Sequence, residues 1–135
     1  MTKWTRYTAN TREIEVCVEP TYLETRSSPV DSQYFWAYRV SMENQGRETV
    51  QLLSRHWMIT NARGELTEVK GPGVVGEQPV LKPGESFEYT SGVPLDTPWG
   101  MMGGAYQMES EGGERFDIEI PTFSLDSPNQ VVLTN

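Results

Sequence analysis

The chain has 135 residues, among them 12 glycines, 9 prolines and one cysteine, and a formal net charge of −8. That length suits one domain, and the negative charge repels phosphate backbones and anionic lipid, which argues against nucleic acid as a partner. No apolar run approaches the roughly 20 residues that span a bilayer, one cysteine excludes an internal disulfide and a cysteine-based zinc site, and no apolar segment follows the basic start, so a soluble, cytoplasmic protein without membrane insertion is expected.

Taken in chain order, Ile14, Val16 and Val18 alternate with Glu13, Glu15, Cys17 and Glu19, which predicts a strand with one wet face that stops at Pro20. Cys17 reads as a small side chain on one sheet face. Leu23–Asp31 reads as a loop. Tyr34, Trp36, Tyr38, Val40 and Met42 recur at every second position, the strongest strand signal in the chain, and Asn44-Gln45-Gly46 supplies a turn. From Thr49 to Thr60, Val50 and Leu52 keep one phase, whereas Leu53, Arg55, Trp57 and Ile59 keep the other. That one-residue shift predicts a β-bulge. Asn61–Gly64 predicts a hairpin connection returning into Glu65–Lys70, and glycine and proline dominate from Gly71 to Gly84.

A short strand carrying Phe87 and Tyr89 is expected to end at Thr90-Ser91-Gly92. Met101–Glu109 follows, with Met102, Tyr106 and Met108 inward and Gly103-Gly104 permitting a bend. After the Glu111–Glu114 turn, Phe116, Ile118 and Ile120 alternate until Pro121 interrupts, before Phe123 and Leu125. About seven antiparallel strands, closely spaced turns and no helical periodicity predict an all-β sandwich. Its core is expected over about residues 12–125, with about ten residues at each end loosely attached.

Three constellations bear on chemistry. Gly71, Gly73 and Gly76 match the spacing G-x-G-x-x-G, which in dinucleotide-binding folds lets backbone approach a pyrophosphate ahead of a helix. Here Glu77 adds a negative charge, and Pro79 and Pro83 leave no helix to follow. A structural turn is therefore expected, with weak contact to an anion or nucleotide phosphate as the alternative. His56 is the only histidine and shares a strand face with Ser54, while Arg55 and Trp57 share the other. Same-face neighbours lie about 7 Å apart, too far for a nucleophile and base; Arg55, His56 and Trp57 are read as candidates for a recognition patch. Glu13, Glu15 and Glu19, and Glu109, Glu111, Glu114 and Asp117, form acidic faces whose chemical option is casual divalent-cation binding. No catalytic residue, metal site or cofactor is assigned.

The strings YFWAYRVSMEN (Tyr34 to Asn44), VQLLSRHWMIT (Val50 to Thr60), GPGVVGEQP (Gly71 to Pro79), PGESFEYTSG (Pro83 to Gly92) and TPWGMMGGAYQM (Thr97 to Met108) together resemble the ApaG family, from about Ile14 to Leu125. The resemblance implies a fibronectin type III-like or immunoglobulin-like β-sandwich. It also implies an association with cobalt and magnesium efflux, which a chain without a membrane span meets only in an accessory role. In the family's glycine string Pro72 removes one N–H from the loop. The expectation is a non-enzymatic binding module, monomer or homodimer, with a protein partner of unknown identity. The alternative is a nucleotide- or cation-binding protein using Gly71, Gly73, Gly76 and Glu77 or the acidic faces.

Overall fold

The computed structural model describes residues 5–128, and among them lie nine β-strands. In chain order they are β1 (Tyr7–Thr11), β2 (Ile14–Tyr22), β3 (Tyr34–Asn44), β4 (Val50–Asn61), β5 (Leu66–Pro72), β6 (Val80–Leu81), β7 (Ser86–Leu95), β8 (Trp99–Ser110) and β9 (Arg115–Asp126). One antiparallel sheet has the order β1-β2-β3-β7; the other has the order β5-β4-β8-β9, with β6 also paired to β4. The loop expected at Leu23–Asp31 contains two single 3-10 turns, Glu24–Arg26 and Pro29–Asp31.

The two sheets face one another as a fibronectin type III-like sandwich, and the alternation read from the sequence is what fills it. Tyr34, Trp36, Tyr38, Val40 and Met42 all point inward from β3. They meet Trp57 of β4, Tyr106 of β8 and Phe123 of β9; the Tyr38 and Trp57 rings lie edge to face at 5.2 Å, a preferred aromatic geometry. One side of the sandwich is closed, because β1 and β2 lie against β9. There Tyr7 packs on Phe123, Arg12 lies 4.1 Å over the Phe116 ring and pairs with Glu114, and Thr11 Oγ1 accepts the Glu119 N–H.

Several expectations are corrected here. Tyr7–Thr11 is no loose start: it pairs along β2 from Tyr7↔Val18 to Thr11↔Ile14. At the other end the Trp36 indole N–H donates to the Asp126 carbonyl and Ser127 donates to the Pro98 carbonyl, so the tail is tied through Ser127. The remainder of the expected loose ends, residues 1–4 and 129–135, lies outside the described residues. Cys17 is buried rather than wet, since Arg6 covers it and its Nε donates to the thiol at 2.8 Å.

Two bulges shape the second sheet. The one expected in β4 is present, with the register shifting between Leu52 and Ser54. A second is not legible as such: Pro121 and Thr122 of β9 stand against Gly103 of β8, between the pairs Met102↔Phe123 and Gly104↔Ile120. Pro121 therefore bends the strand without ending it, because a bulge is where a missing N–H costs no ladder bond. Strand β7 also runs on past Gly92 to Leu95, with Pro94 inside it.

Candidate functional site

The glycine segment is built onto the β4 bulge. Because Leu53 is the extra residue there, its carbonyl is released from the ladder and accepts the Gly73 N–H and the Gln78 side-chain amide, both at 2.8 Å. Val74 and Glu77 exchange two backbone bonds around Val75 and Gly76, whose φ of 44° and 82° make a tight turn. Each glycine has a steric reason. A Cβ on Gly71 would sit 3.2 Å from the Arg55 guanidinium, one on Gly73 would collide with the Glu77 carbonyl, and Gly76 takes the left-handed turn position.

Arg55 points inward from β4 and donates to the Pro72 and Gly73 carbonyls at 3.1 and 2.9 Å. Val74, 0% exposed, then enters the core as a plug. Strand β6 follows the loop instead of a helix. The amides of Gly73, Val74 and Glu77 are committed internally and Pro72 has none, so these four positions offer no N–H to an anion, and the segment lacks the helix that its spacing precedes in dinucleotide-binding folds.

The recognition patch expected at Arg55, His56 and Trp57 is divided by the sheet. Trp57 is 2% exposed and belongs to the aromatic core, and Arg55 serves the loop, so neither offers an outer surface. Only His56 faces outward, bonded to Glu68 of β5 at 2.9 Å, while Ser54 bonds Gln107 of β8. The histidine and serine are thus each engaged across strands and not with one another.

Near Arg55 lies a phenolic network: the Tyr89 and Tyr106 hydroxyls bond to each other, with Tyr38 nearby. Burial raises the pKa of all three above that of free tyrosine, those of Tyr89 and Tyr106 well above it, the neutral form being favoured away from water. The acidic faces do not converge. Glu114 pairs with Arg12 and Glu109 with Arg115, and among the described residues no group of three or more His, Cys, Asp or Glu is placed to hold a metal ion. Likewise, no helix among them is long and apolar enough to cross a membrane.

Two surfaces stand out whose residues the sequence reading did not single out. On the outer face of the five-stranded sheet Met58, Leu66 and Met101 are exposed. On the side of the sandwich away from β1 and β9, a groove of about 810 Å³ lies between β5 and β7. The available signal for the second was Val93 and Leu95 continuing the period of two beyond Ser91.

A family model described as the ApaG domain matches residues 24–110. The chain is 62% identical to protein ApaG of Paramagnetospirillum magneticum over 124 residues, which covers 92% of this chain and 95% of that protein. It is 57% identical to protein ApaG of Rhizobium meliloti over 129 residues, 96% of this chain and 99% of that one. Among solved structures it is similar to the ApaA protein of Bordetella pertussis, with a TM-score of 0.84 and 45% identity over 90% of this chain and 98% of the other.

Proposed function

This chain belongs to the ApaG domain family, and from that premise we propose that it is a non-enzymatic binding module of the cytoplasm that recognises a protein partner through the outer face of its five-stranded sheet. The supporting observation is a group of apolar side chains left in water: Met58 is 42% exposed, Leu66 55% and Met101 47%. They surround Thr60, whose register partners on either side are Leu66 and Met101. Methionine adapts its shape to an incoming surface, and an exposed apolar group with a polar rim is the usual footprint of a protein contact. His56, Ser54 and Gln107 supply that rim further along the same face.

In this reading the module is a monomer or homodimer, and its part in cobalt or magnesium homeostasis is accessory, exerted through the partner rather than an ion site of its own. Affinity capture from cell lysate with the wild-type protein and with a Met58→Glu/Met101→Glu variant, followed by quantitative mass spectrometry, tests it. At least one protein is expected to be recovered with the wild type and lost with the variant. Identical recoveries would remove the proposal.

A further inference from the structure

The groove on the open side of the sandwich lies between two strand edges. Ile59, Val69, Val93 and Leu95 line it, with Phe35 and Pro94 at one wall. Among the described residues no strand pairs with the outer edge of β7. Phe35 directs both its backbone groups away from β7: its N–H donates to Ser27 Oγ at 3.0 Å and its carbonyl accepts the Leu23 N–H at 2.8 Å. Its register partner Pro94 therefore turns its own backbone outward, and by antiparallel alternation Gly92 and Thr90 do the same. Thr90 and Gly92 thus present N–H and C=O groups to the groove side, and Pro94 a C=O. The facing edge differs. Because Asn61 and Glu65 form a bonded pair, the outward backbone positions of β5 are Leu66, Glu68 and Lys70, two of them charged, which discourages strand addition there.

At its end the groove carries an excess of negative charge. Arg63 is shared between Glu65 at 2.8 Å and Asp96 at 2.6 Å, and Asn61 donates to both, leaving two carboxylates against one guanidinium. Asn61 and Arg63 hold the Glu65 carboxyl below its ordinary pKa, and Arg63 does the same for Asp96, so both stay charged at neutral pH.

We infer that this groove binds an extended peptide segment of a partner protein as an added strand on the β7 edge, its alternate apolar side chains entering against Ile59, Val69 and Val93 and a lysine or arginine reaching Glu65 and Asp96. Strand addition draws affinity from main-chain bonds and specificity from pockets for alternate side chains, the two things this edge and groove supply together. Thr90 to Leu95 gives room for about six residues, roughly 20 Å at strand rise. The other half of the same side shows that a segment fits between the sheets here, since the chain's own Val74 is seated there. A second copy suits the site less well, because it brings its own net charge of −8 to an acidic groove.

The inference rests on the binding-module reading but uses a different surface, so the two can fail separately. A random library of displayed 12-residue peptides is selected on the wild-type protein, and enriched peptides are synthesised with a fluorophore for titration. Enriched sequences are expected to alternate apolar and polar residues beside a Lys or Arg, and to perturb backbone amide signals at Thr90–Leu95. Gly92→Pro removes one outward N–H while leaving the β3 pairing, and Val69→Glu puts a charge on the groove wall at a position already 37% exposed. Each is expected to weaken binding at least tenfold with the circular-dichroism spectrum unchanged; if Gly92→Pro does not fold, Val69→Glu carries the test.

The inference is overturned if no peptide is enriched, if enriched peptides bind both variants like the wild type, or if sedimentation shows a dimer whose protected amides are those of Thr90–Leu95. Loss of peptide binding in Met58→Glu/Met101→Glu but not in the groove variants also overturns it, while leaving the sheet-face proposal standing.

Discussion

The two halves of the open side of the sandwich receive opposite treatment from one stretch of chain. Where β5 ends, Gly71–Glu77 folds back, Arg55 clamps its carbonyls and Val74 closes the interior; where β5 begins, beside Asn61 and Leu95, the gap is left as a groove. The closed half required three glycines, a bulge carbonyl and a guanidinium placed on the inner face of a strand. The comparison teaches that a seam between two sheets is not sealed by packing alone. It is sealed where a segment satisfies its own backbone, and elsewhere it stays open to segments from outside.

Alkali should break the comparison most completely. Tyr38, Tyr89 and Tyr106 have pKa values raised in the fold, so their contribution to stability is full below the unfolded value of about 10 and is lost as pH rises above it. Phenolate absorbance from these residues is expected to appear together with loss of the circular-dichroism signal, not before it. Next in size, Val74→Asp places an unpaired carboxylate where Val74 is fully buried and should cost about 4 kcal/mol or more in urea unfolding.

Arg55→Met keeps much of the stem but leaves the Pro72 and Gly73 carbonyls without their donor, for an expected loss of about 1.5–3 kcal/mol and faster exchange of the Gly73 amide. Gly76→Ala meets no atom within 4 Å yet must hold a φ of 82°, a strain of about 1 kcal/mol. Smallest of all, Val69→Glu in the open half should alter unfolding by no more than about 0.5 kcal/mol. A large loss there would mean that the groove is part of the core after all.

The sequence showed most of the frame, because period-two alternation is a direct image of burial on a sheet. The phase slip at Leu53 marks the bulge that anchors the glycine loop. Less legible were features in which a residue acts against its type. Arg55 looks like a wet position and is an inward one, because the carbonyls that satisfy it lie 17 and 18 residues away in sequence. That misleads about Trp57 on the same face. Pro121 and Pro94 look like strand ends, but one sits in a bulge and the other on an edge, where no ladder bond is missed. The groove was invisible for a further reason: it is bounded by β5 and β7, which share no hydrogen bonds and whose approach is set by the whole stacking of the sheets.

The packing of β1 and β2 on β9 has a kinetic consequence. These are the strands most distant in sequence, joined by such contacts as Thr11 with Glu119, 108 positions apart. Loops of that size must close before the contact rewards them, so the search is slow, on the order of milliseconds to seconds for sandwiches of this kind. During synthesis at about 5–20 residues per second, β1 and β2 emerge several seconds ahead of β9, and the surface that they turn toward β9 waits uncovered until Phe116–Leu125 leaves the ribosome. The late strand thus sets the moment at which the nascent chain stops being a hazard for aggregation.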